Sequence, residues 1–130
     1  MADNATHLPT QMKAMVLTGH GGIDKLEYRD DVPVPSPGPG EVLVQVTATA
    51  KNNTDRKARE GLYPTRDEEE VTSFAMGGEP TLTFPRIQGA DIVGRVVATG
   101  ERVDRARIGE RGLLDFNLYP DDRRDINLSP

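Results

Sequence analysis

The chain has 130 residues, 28% of them charged and 35% hydrophobic, with a net charge of −5 and no cysteine. At that size a domain buries about two-thirds of the surface its unfolded chain exposes, so a real core is within reach. The acidic balance argues against a nucleic-acid partner, no apolar run approaches the ~20 residues of a membrane span, and without thiols there are neither disulfides nor thiolate metal sites. A reducing, cytoplasmic setting is the expectation that follows.

In chain order, Met1 to Gln11 is polar, lacks the basic start and apolar stretch of a signal peptide, and is expected to be a disordered leader. Met12 to His20 reads as a first strand, with Gly21 and Gly22 supplying a turn. Leu26 to Val32 reads as a second strand, polar enough for a sheet edge. Pro33 to Gly40 alternates prolines that cannot donate ladder hydrogen bonds, so it is an extended connector. Glu41 to Ala50 is the clearest strand: Val42, Val44, Val46 and Ala48 share one face, and Gln45, Thr47 and Thr49 the other. Asn53 to Glu60 predicts a short surface helix, with Asn53 as N-cap, Asp55 in the first turn and Gly61 as the stop. Leu62 to Pro85 is irregular and is expected to be a mobile loop. Ile92 to Thr99 is a second strong strand, Val103 to Leu114 a turn and a further strand, and Asp115 to Pro130 a polar segment without period. Short strands, many glycines and one weak helix predict a mainly β fold, a small barrel or sandwich.

Chemistry read from composition alone is sparse. His7 and His20 have no partners at metal spacing and read as solvated. Gly19 to Gly22 lacks the Lys-Ser/Thr ending and following helix of a phosphate loop, so it is read as a hairpin turn. The acidic run Asp67 to Glu70 reads as a hydrated surface rather than a cation site.

Ordered motifs add more. Ile87 to Gly100 contains Gly-Ala-Asp-Ile-Val-Gly. Gly21-Gly22 precedes Pro33, Pro35 and the run Gly40-Glu-Val-Leu-Val44, Asn52-Asn-Thr-Asp55 is followed by Arg59, Gly61 and Tyr63, and Ile108-Gly-Glu-Arg111 comes last. Taken in order from Met12 to Leu114, these resemble the N-terminal, GroES-like catalytic domain of the medium-chain dehydrogenase/reductase superfamily, in its zinc-independent, quinone-oxidoreductase-like branch. Zinc members of that family place His-Glu after the first glycine, where this chain has Ala90 and Asp91, and a cysteine where it has Asn52. An alanine methyl offers a metal no lone pair. Lys51, Arg56 and Gly112 depart from the family pattern.

The resemblance implies a GroES-like twisted β-barrel with one or two short helices over 12–114, C-terminally truncated, with a leader over 1–11 and a polar segment over 115–130. It implies an oxidoreductase that uses NADP(H) or NAD(H), without zinc, to move a hydride to a carbonyl, enone or quinone. The partners implied are a small-molecule substrate, a Rossmann domain and a homo-oligomer, with neither nucleic acid nor membrane. No Gly-x-Gly-x-x-Gly opening a helix occurs in the chain, so the pyrophosphate cradle is missing and the chain alone is expected to be inactive.

In the implied site Asn52 anchors the nicotinamide amide or a substrate carbonyl, Thr54 and Tyr63 are hydrogen-bonding groups in the cleft, Asp55 is an orienting carboxylate and Asp91 an acid at the domain interface. All but Thr54 have a plainer alternative. Asn52 can be a helix-start or turn residue, Asp55 a partner of the helix dipole, Tyr63 a packing residue with a wet tip and Asp91 an ordinary turn-facing carboxylate. For the whole chain the alternative is a free-standing, non-enzymatic GroES-like barrel used for protein association.

Overall fold

The computed structural model describes residues 7–62 and 82–115. Among them the chain is mainly β, as expected. Its strands are β1 (Gln11–Leu17), β2 (Leu26–Pro33), β3 (Val42–Thr49), β4 (Arg86–Ile87), β5 (Ile92–Thr99) and β6 (Arg111–Leu114), with one helix, α1 (Asn53–Arg59). Single 3₁₀ turns lie at Ile23–Lys25 and Arg105–Arg107. The strands form two three-stranded sheets, in the orders β2-β1-β4 and β3-β5-β6. The described residues divide into two compact units, one of 7–12, 31–50 and 90–115, the other of 13–30, 51–62 and 82–89.

The first unit is organised on β5. Its run of β-branched residues suits a strand paired on both sides, and it is antiparallel to β3 on one side and β6 on the other. Val42 pairs with Thr99 and Thr49 with Ile92, but the register shifts between Leu43 and Val44 and again between Val46 and Ala48. At the second shift Thr47 is the extra residue of a bulge, and its hydroxyl donates to the Val93 carbonyl at 3.2 Å. The predicted single face of Val42, Val44, Val46 and Ala48 is covered only in part: Val42 and Val44 are half-buried, whereas Val46 is 54% exposed and Ala48 is exposed. Opposite Val46 stands Gly94. A Cβ there would overlap a Val44 methyl and lie 2.5 Å from the Gln45 carbonyl oxygen, so the close approach of β3 requires glycine. The proline-rich connector is held by Gly40 N–H on the Glu101 carbonyl at 2.7 Å and Gly100 N–H on the Glu41 carbonyl at 2.8 Å.

In the second unit Val16 pairs with Ile87 and Leu17 with Arg86. Leu17 is fully buried, and Val16, Ala58 and Leu82 are nearly so. The Gly19–Gly22 loop is a turn as expected, closed by Thr18 N–H on the Lys25 carbonyl at 2.9 Å.

Several boundaries differ from the sequence reading. Gln11, placed in the leader, opens β1, and Thr10 already accepts from Val34 N–H at 3.0 Å. β1 stops at Leu17 rather than His20. β2 lies at its sheet edge as predicted and ends on Pro33, where a missing N–H costs no interior ladder bond. The expected mobile loop falls mostly on 63–81 and the polar tail on 116–130, outside the described residues. Among the described residues no helix is long and apolar enough to cross a membrane.

Candidate active-site helix and its surroundings

Helix α1 carries three of the predicted site residues at its start. The N-cap is Asn52, not Asn53. Asn52 has extended backbone angles (φ −119°, ψ 138°), and its Oδ1 accepts from Thr54 N–H at 3.0 Å and from the Thr54 hydroxyl at 2.8 Å. This satisfies one of the orphan donors of the first turn. The structure thus brings Asn52 and Thr54 together as one cap. Asn53, the expected cap, is the first helical residue and accepts from Arg56 Nε at 3.1 Å.

Asp55 is half-buried in the first turn, where a carboxylate favours the positive end of the helix dipole. Its main-chain carbonyl accepts from Gln88 Nε2 at 3.0 Å. The other end of the helix closes as a Schellman motif: Leu62 N–H reaches the Lys57 carbonyl at 2.9 Å and Gly61 N–H the Ala58 carbonyl at 3.4 Å. Gly61 takes φ +81°, a conformation that favours glycine, so it stops the helix as predicted. Ala58 is the one buried residue of α1, as its charged neighbours imply.

His20 is not solvated as predicted. Its ring stands edge-on to Phe84, centroids 5.0 Å apart at 83°, and its Nε2 is buried without a partner. The ring also lies beside Gly61, where an added Cβ would be 3.4 Å from His20 Cγ and Nδ1. Arg86 Nε and Gln88 Oε1 are likewise buried and unpartnered, so all three such atoms among the described residues fall in the second unit. His7 is exposed as expected.

Sequence reasoning missed His20, Phe84, Arg86 and Gln88. The last three are half-buried, whereas Pro85, Ile87 and Gly89 are exposed. The alternation is a strand signal, but with polar residues inward and Ile87 outward it inverts the usual pattern.

Of the remaining predicted residues, Tyr63 lies outside the described residues, and Asp91 is half-buried in the first unit, just before β5. The first unit also contains a cavity of about 50 Å³ lined mainly by Val42, Val44, Gly94, Val96 and Leu114. It is too small and too apolar to orient a polar substrate, since ligand pockets run to about 300–1,000 Å³. Among the described residues no three His, Cys, Asp or Glu side chains gather as metal ligands. Nor does any described segment fit a dinucleotide pyrophosphate, for which the chain has no Gly-x-Gly-x-x-Gly turn.

Comparison with known proteins narrows what this arrangement belongs to. The chain is 30% identical over 103 residues to an NADPH-dependent alkenal/one oxidoreductase, chloroplastic, of Arabidopsis thaliana, covering 79% of this chain and 23% of that protein. Among solved structures it resembles an alcohol dehydrogenase candidate of Sinorhizobium meliloti 1021, at 53% identity and a TM-score of 0.78, over 95% of this chain and 34% of that one. It also resembles a mycobacterial quinone oxidoreductase, at 29% identity and a TM-score of 0.59, over 79% and 27%. The chain therefore spans about a quarter of the curated relative's length. Residues 38–117 match the alcohol dehydrogenase GroES-like domain. That match takes in both α1 and the β3-β5-β6 sheet, and it makes the chain a member of the alcohol dehydrogenase GroES-like domain family.

Proposed function

We propose that residues 12–114 supply the substrate side of a zinc-independent, NADP(H)- or NAD(H)-dependent reduction of a carbonyl, enone or quinone. The observation that carries this reading is the start of α1. There Asn52 and Thr54 are locked together, and half-buried Asp55 follows in the same turn. When bound, the nicotinamide supplies the hydride. The chain's own task is to orient the acceptor and favour charge developing on its oxygen.

Asn52 is the polar anchor. Its Oδ1 is engaged in the cap, and its amide N–H is the donor assigned to a substrate or nicotinamide carbonyl. The Thr54 hydroxyl donates its hydrogen bond to Asn52 Oδ1 and so offers lone pairs. Asp55 orients, Tyr63 is assigned to the same cleft and Asp91 to an interface with a nucleotide-binding domain. Zinc-independence is supported by Ala90 and Asn52 standing at the positions where zinc relatives have ligands, and by the absence of cysteine. A cytoplasmic location and assembly as a homo-oligomer belong to the same proposal; cell fractionation and light scattering check them.

The test is a hybrid in which this chain replaces the matching third of the Sinorhizobium meliloti protein. With NADPH and an enone or quinone, the hybrid turns over. Asp55→Asn lowers kcat/KM about 100-fold or more, the low end of what a positioned catalytic group contributes. An unchanged kcat/KM removes Asp55 from the cleft.

A further inference from the structure

We infer that Gln88 is a positioning residue: its bond to the Asp55 carbonyl fixes where the first turn of α1 lies within its unit. The helix cannot hold that place by itself. It has seven residues and is about 10 Å long, well short of the ~12–15 residues at which an isolated helix becomes even marginal. Only Ala58 among its side chains is buried, so apolar packing gives it little purchase. Its N-cap bond from Thr54 and its Schellman bonds run within the helix and its own ends.

Attachment comes from polar tethers. At the C-terminal end Gly21 N–H donates to the Arg59 carbonyl at 2.8 Å, and Arg59 Nη1 donates to the Gly21 carbonyl at 2.7 Å. At the other end Gln88 Nε2 donates to the Asp55 carbonyl at 3.0 Å, across 33 positions of sequence. Gln88 directly follows β4, whose register is set by Arg86 opposite fully buried Leu17. The sheet thus dictates the position of the helix start.

The side chain of Gln88 shows which of its groups matters. Its Oε1 is buried without a partner, which is unfavourable. An apolar residue of the same length would avoid that loss. Turning the amide over would set oxygen against oxygen at Asp55. The donor is therefore the group that counts.

That Gln88 thereby places Asn52, Thr54 and Asp55 for catalysis rests on the function proposed above; the tether itself does not. The experiment is amide hydrogen exchange on the full 130-residue chain with Gln88→Met, which keeps side-chain length and removes both the donor and the orphan acceptor. Protection across α1 falls about fivefold or more, the loss expected for one hydrogen bond, while β5 stays protected. Protection of α1 within twofold of the parent chain, or raised, overturns the inference. Where Gln88→Met also loses β5, Gln88→Asn, which keeps an amide one methylene short, is read by the same two outcomes. In the hybrid enzyme, lost α1 protection with unchanged kcat/KM leaves the tether standing and counts against the cleft assignment alone.

Discussion

Asn52 has two duties that substitution separates. As N-cap it satisfies the first turn of α1 through Oδ1, and as proposed anchor it presents its amide N–H. Asn52→Ala removes both and should destabilise the chain by about 1 kcal/mol in urea unfolding. Asn52→Asp keeps the cap and loses the donor. It should leave the unfolding midpoint nearly unchanged and lower kcat/KM of the hybrid about 100-fold. An Asn52→Asp hybrid with unchanged kcat/KM would mean that Asn52 is a cap and nothing more. The residue types at the helix start were legible in the sequence, yet the cap itself was misplaced by one position. Asn52 and Asn53 are both good caps, and only the extended backbone at Asn52 decides between them. His20 was not legible at all, because its burial comes from Phe84, far along the chain.

At the scale of elements, β3 and β5 were legible because alternation and β-branched residues are local signals. The bulge at Thr47 was not, since it arises from the register against β5. β4 was hidden for another reason: it is two residues long and turns Ile87 outward at 50% exposure. The glycine pattern gains a physical meaning here. Gly94→Ala pushes a methyl into Val44 and the Gln45 carbonyl, so β3 and β5 must separate. The expected loss is about 2 kcal/mol or more, read by urea unfolding. Gly61→Ala has open packing by comparison but must hold φ +81°, at about 1 kcal/mol. A Gly94→Ala chain as stable as its parent would contradict the described approach of β3 to β5.

For the whole molecule, the mainly β class and the family were both legible, because the motifs run in order along one stretch. The division into two units was not, since each gathers segments distant in sequence. The chain has no Gly-x-Gly-x-x-Gly turn able to cradle a pyrophosphate. The 130-residue polypeptide alone should not oxidise NADPH in the presence of an enone or quinone, monitored at the nicotinamide absorbance. Joined to a nucleotide-binding domain, it should do so without a metal at the substrate.

The most direct measurement is the NADPH-dependent turnover of the hybrid before and after dialysis against a zinc chelator, with the metal content determined on the same samples. The rate is expected to survive complete removal of zinc. A well-folded hybrid whose rate vanishes with the metal and returns on adding zinc would contradict it.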